Sequence, residues 1–200
     1  MTRSLCRSIY REDDRIRSCE GLADLPEQGF LWIDVGGNDA QALSELRARY
    51  RVDPQLGHAS VVEDEHYLYL FAEIVAMDAQ GRPEFHQLVF ALGERVLATV
   101  HDSAVFAPFE RALQRLARRP RQATDAKSLL RMILAGINDG TGQVIEAIAA
   151  SLESTADRIA RLSAGTGGSR EPGVVDLTGV LIELNASEEL ISNCLEGQLA

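Results

Sequence analysis

Cysteine, lysine and long apolar runs are all scarce in this 200-residue sequence. The three cysteines, Cys6, Cys19 and Cys194, are an odd number, lie far apart and lack a C-x-x-C spacing. That pattern argues against a disulfide framework or a zinc knuckle and for a reducing compartment. No apolar stretch approaches the roughly 18 residues that a membrane-crossing helix needs. The first residues, with Arg3, Arg7 and Arg11 among polar neighbours, carry no signal-peptide apolar core. Lys127 is the sole lysine, so a lysine Schiff base or a phosphate-loop mechanism has a single candidate. Basic residues are also in deficit: 20 against 30 acidic ones, for a formal net charge of −10. Such a balance excludes a nucleic acid backbone as the main partner and suits polycations and metal ions.

What is present is enough hydrophobic residue, 46%, for a packed core without staples. Leu5 to Tyr10 and Arg15 to Cys19 alternate about the polar knot Glu12-Asp13-Asp14, which predicts a hairpin. Phe30 to Val35 predicts a strand stopped by Gly36-Gly37. A helix follows, capped by Asn38, with Ala42, Leu43, Leu46 and Tyr50 on one face. Asp53-Pro54 predicts a second, shorter helix to about Ser60. His66 to Met77 is apolar on both faces and predicts a central strand of a covered sheet. Phe85 to Leu92 and Arg95 to His101 predict a hairpin turning at Gly93-Glu94, and Pro108 starts a helix with the stripe Phe109, Ala112, Leu113 and Leu116.

A boundary falls near residues 120 to 124. Before it the chain alternates short apolar runs with turn residues; beyond it, apolar positions from Leu129 to Leu162 recur every three to four residues. They predict one helix from Thr124 to about Ala164, on the order of 60 Å long, which must project from the globule. Gly136, Gly140 and Gly142 weaken its middle and predict a kink. Gly165 to Gly173 is a reversal, and Val174 to Ala200 predicts a helix folding back as a hairpin. The order of elements is that of an α+β chain: strands and helices in residues 1–121, then a long helical hairpin in residues 122–200.

Several stretches, in this order, resemble the cytoplasmic domain of CorA-type magnesium transporters and their ZntB-type zinc-transporting relatives. They are Trp32-Ile33-Asp34, the Leu43 to Tyr50 helix leading into Asp53-Pro54, Tyr69-Leu70-Phe71, Leu97 to Asp102, Pro108-Phe109-Glu110-Arg111, and Leu129-Leu130 through Asn138-Asp139. The resemblance implies the regulatory domain of a Mg²⁺ or Zn²⁺ transporter, sensing cations and gating the pore of a homopentamer. It implies an α+β fold with a mixed sheet between helical layers, and a place on the cytoplasmic side of the bacterial inner membrane, with membrane spans further along the chain. The family's stalk helix, two spans and Gly-Met-Asn motif have no counterpart by Ala200, so a truncated, soluble chain is expected. A free-standing scaffold of the same fold is the alternative.

The resemblance also carries a regulatory-cation role onto the acidic pair Glu63 and Asp64. By composition, Glu63-Asp64-Glu65-His66 groups hard oxygen ligands of the kind Mg²⁺ takes, beside one imidazole. A turn centred on Gly93-Glu94 would set His86 opposite His101, a potential zinc pair completed by Asp102 or Glu84. His101-Asp102-Ser103 has the residue types of a hydrolase triad, but successive strand residues face opposite ways, so no catalytic role and no enzyme activity is expected. From Glu171 onward there are six acidic residues and no Lys or Arg, a helix that cations or arginines must neutralise.

Overall fold

A computed structural model describes residues 5–12, 15–37, 39–55, 61–78, 81–104, 106–164, 179, 182 and 184–192. Its sheet has seven strands: β1 (Cys6–Glu12), β2 (Arg15–Glu20), β3 (Leu31–Gly36), β4 (Val61–Glu63), β5 (Leu68–Met77), β6 (Pro83–Leu92) and β7 (Val96–His101). Their spatial order is β2-β1-β3-β7-β6-β5-β4. Only β3 and β7 pair in parallel; every other ladder is antiparallel, so the sheet is mixed.

Helix α1 (Ala40–Tyr50) lies on one face and α2 (Ala107–Arg118) with α3 (Ala126–Ala164) on the other. The alternation of β3 explains the layering. Leu31, Ile33 and Val35 pack with Ala42 and Leu46 of α1. Trp32 points the other way, onto Phe109 and Leu116 of α2 and Leu129 and Ile133 of α3. Trp32 and Phe109 meet edge to face with ring centroids 5.6 Å apart. The expected sandwich of helical layers about a mixed sheet is thus the observed one.

Two local expectations change, and a third falls largely outside the described residues. The cap of α1 is Asp39, whose Oδ1 accepts the Ala42 N–H at 3.0 Å; Asn38 lies outside the described residues. The segment read as central, β5, is second from the sheet edge, and β7 takes the middle. β5 is apolar on both faces because both are covered. Tyr69 and Phe71 meet the α1 layer and Leu70, Ala72 and Ile74 the α2–α3 layer, while Val75 and Met77 reach Val144, Ile148 and Leu152 of α3. After Asp53 a single turn forms at Pro54 and Gln55; the rest of the helix expected there lies outside the described residues.

α3 runs unbroken for 39 residues through Gly136, Gly140 and Gly142. Gly136 and Gly140 lie under the start of α2: a Cβ at Gly136 would stand 3.5 Å from the Pro108 carbonyl oxygen. The first turns of α3, through Ile137, belong to the main core, and its later turns carry Val144 and Ile148 beneath the end of β5. Beyond Thr155 its described side chains are exposed. A helix over 184–192 returns along it, with Leu190 and Ile191 packed on the Val144–Ile148 cluster. The remainder of the expected last helix lies outside the described residues.

Candidate functional site

The acidic pair read from the sequence sits at the corner between β4 and β5. Glu63 ends β4 and is exposed; Asp64 begins the turn. Asp64 closes that turn on itself: Oδ1 accepts the N–H groups of His66 and Tyr67, both at 2.7 Å, and Oδ2 accepts the Tyr69 hydroxyl at 3.1 Å. Burial raises the pKa of this carboxyl, yet the three donors outweigh it and hold the group below its ordinary value. Tyr69 Oη in turn accepts the Asp53 N–H at 3.1 Å, and Tyr67 Oη donates to the Tyr50 carbonyl at 2.9 Å. Burial pushes the Tyr67 phenol up to about 12, helped by Tyr69 and Asp64. The corner is therefore fastened to the end of α1.

A cleft of about 660 Å³ opens beside it. Five carboxylates line it, Glu63, Asp64, Glu65, Glu94 and Asp125, against the cations Arg95 and Lys127, with His66 on the same wall. The excess negative charge in a concave wall concentrates cations there. Because both Asp64 oxygens already accept hydrogen bonds, Glu63 and Glu65 are the freer ligands, and a hydrated Mg²⁺ needs only one or two carboxylates. Glu94 and Asp125 come from the β6–β7 turn and the segment before α3. Sequence reasoning missed both, since no local pattern links them to Glu63.

The two histidines are placed differently from the expected cross-strand pair. The β6–β7 turn centres on Glu94-Arg95, with Gly93 N–H donating to the Val96 carbonyl at 2.8 Å, so His101 faces Leu88 and His86 lies two residues beyond. Gly93 is needed for close packing: a Cβ there would stand 2.7 Å from the Tyr67 ring. His86 and His101 share a face and are buried, with Phe106 packed against both rings at 5.0 and 5.8 Å. His86 Nδ1 lies 3.3 Å from Asp102 Oδ1 and its Nε2 3.9 Å from Glu84, whereas His101 Nε2 lies 3.3 Å from Asp34 Oδ1. Each imidazole thus has its own carboxylate. Among the described residues, no three His, Cys, Asp or Glu side chains are grouped to hold a metal ion. In the triad-like run, Asp102 reaches His86 and not His101, whereas His101 Nδ1 lies 3.3 Å from Ser103 Oγ.

A second feature missed in the sequence is the buried polar network around Asp34. Arg7 donates to Asp34 Oδ2 at 2.9 Å and to Glu110 at 2.5 Å, Thr99 Oγ1 donates to Asp34 Oδ1 at 2.7 Å, and Trp32 Nε1 donates to Thr99 Oγ1 at 3.0 Å. Burial raises the Asp34 pKa, but His101, Arg7 and Thr99 together bring it below the ordinary value. These contacts join β1, β3, β7 and α2.

With the geometry in view, the comparisons decide the lineage. The model of one family, described as CorA-like Mg²⁺ transporter protein, matches residues 27–171, well over half of the chain. The chain belongs to the CorA-like Mg²⁺ transporter family. Solved structures agree on the fold. The full-length CmaX protein superposes with a TM-score of 0.68 at 16% identity, over 96% of this chain and 60% of that one. The complete CorA magnesium transporter from Methanocaldococcus jannaschii gives 0.62 at 16% identity, over 94% of this chain and 60% of that one. The ZntB cytoplasmic domain from Vibrio parahaemolyticus RIMD 2210633 gives 0.59 at 13% identity, over 94% of this chain and 89% of that one. No curated protein sequence matches. The chain thus spans about 60% of the length of the full-length CmaX and CorA structures. Among the described residues no helix is long and apolar enough to cross a membrane.

Proposed function

We propose that this chain is the cation-responsive, cytoplasmic part of a CorA-like divalent-cation transporter, working in a homopentamer whose membrane spans lie in a further segment. The observation that carries the reading is the family match across residues 27–171, which joins the sheet to the long helix α3. In this reading residues 1–121 form the α/β domain and residues 122–200 the hairpin that leans beside the pore. Mg²⁺ or Zn²⁺ is the transported and regulatory ion.

The proposed sensor is the cleft at the β4–β5 corner, where Glu63 supplies a carboxylate to the ion and Asp64 holds the turn that presents it. A cation held there and by a neighbouring subunit favours the closed ring; its loss leaves like charges facing one another and loosens the assembly. That is coupling by differential binding to two states. Calorimetric titration of Mg²⁺ into the parent and into Glu63→Gln/Glu65→Gln tests the site. The double variant is expected to lose the saturable Mg²⁺ uptake, and uptake equal to the parent's would refute the placement.

A further inference from the structure

The most unexpected surface of this acidic chain is basic. Between the end of α2 and the first turns of α3 lies a cleft of about 740 Å³, within the size range of small-molecule sites. Its wall carries four guanidinium groups, Arg115, Arg118, Arg119 and Arg131, and no carboxylate. Arg115 is ion-paired to Asp139 at 2.5 Å. Among the described residues, Arg118, Arg119 and Arg131 enter no salt bridge, though Arg131 lies close enough to Asp125 to help lower that carboxyl's pKa.

The carbonyl end of α2 accounts for Arg115 and Arg118, which sit in its last turn, where cations offset the helix dipole. Arg119 is the C-cap of the same end, but the dipole does not account for Arg131, contributed by the facing wall on α3. These exposed charges repel one another only weakly through water, and an anion placed between them would meet several donors at once. The guanidinium fork matches phosphate oxygens in pairs, and Arg keeps its charge at any physiological pH. Met132 and Ala135 add an apolar stretch beside the cations, on which a flat ring can rest.

We propose that this cleft binds a soluble phosphate-bearing polyanion of the diphosphate or triphosphate class, including nucleotides, with Arg118, Arg119 and Arg131 on the phosphates. The inference does not depend on the cation-transport reading: it concerns the opposite sign of charge, in a cleft that adjoins the acidic one only at the start of α3, where Arg131 acts on Asp125. A protein of net charge −10 repels polyanions over most of its surface, so any uptake is a local property. Titration calorimetry of the whole chain with pyrophosphate and with ATP, in magnesium-free buffer of low ionic strength, is the test. Saturable binding is expected, weakening as salt is raised. Arg118→Ala/Arg131→Ala should weaken it about tenfold or more. Arg131→Lys, which keeps the charge without the fork, should fall between them, and Arg17→Ala on β2 should match the parent. These side chains are exposed, and an unchanged thermal melt of the double variant establishes that it folds. No uptake of either probe, or uptake unaltered in the double variant, would overturn the proposal; so would binding only to phosphatidylglycerol vesicles, with neither soluble probe taken up.

Discussion

Asp34 ties an electrostatic network into the interior. It is a buried carboxylate whose acceptor oxygens meet Arg7, Thr99 and His101, and Arg7 carries the tie onward to Glu110 on α2. Removing one member of a buried charged set leaves the others without their partner, at a cost of about 3–5 kcal/mol. Asp34→Ala should therefore lower the unfolding free energy by about that amount near neutral pH. The pH dependence has a definite sign. The folded carboxyl has a pKa below its ordinary 3.8, so its contribution is present above that value and is lost as the pH falls through the lower, folded one. Urea unfolding at successive pH values should show the gap between parent and variant closing as acid is added below about pH 4. A gap that stayed constant would remove the charge network from the account. An Asp within an otherwise apolar strand was the visible hint in the sequence, but its partners stand up to 76 residues apart from it in the chain, as Glu110 does through Arg7.

Elements were legible where their pattern is local and obscure where packing chooses between alternatives. Strand alternation in β1, β2 and β3 and the apolar stripe of α2 follow directly from the sequence, because each face meets a single environment. The β6–β7 turn did not. Gly93 suggests a turn centre, yet its missing side chain serves the Tyr67 ring, and the turn moves one residue on to Glu94-Arg95. That single shift separates His86 from His101. The acidic cleft was half legible for the same reason: Glu63 and Asp64 are adjacent in the chain, while Glu94 and Asp125 arrive only through the fold. In α3, sequence alone assigns three glycines to a weak point, but the helix is continuous. Gly142 is the one with open space around the position of a Cβ. Gly142→Ala should stabilise the chain by about 0.5–1 kcal/mol, chiefly by lowering the entropy of the unfolded state. Thermal melts check this; a lower melting temperature would mean that α3 needs local give at that turn.

At the scale of the molecule, two charge fields of opposite sign adjoin at the start of α3. The β4–β5 corner gathers carboxylates in a concave wall, and the α2–α3 junction gathers guanidiniums. The described part of the returning helix adds Glu188 and Glu189, both exposed. Copies brought together by acidic walls repel one another until divalent cations neutralise them, and a rod the length of α3 gives each copy a long surface to offer its neighbours. The rod was readable from periodicity, since a helix near 60 Å exceeds what the sheet can cover, whereas the mixed sheet followed from the resemblance. The proposed cation response was not readable from periodicity and is argued from the family and from the corner's charge. Sedimentation velocity of the chain across a Mg²⁺ titration, at ionic strength held constant with sodium chloride, tests it most directly. A saturable shift to a larger assembly with Mg²⁺, absent in sodium alone and diminished in Glu63→Gln/Glu65→Gln, is the predicted result. A sedimentation coefficient indifferent to Mg²⁺, or a shift that sodium reproduces at equal ionic strength, would contradict the account.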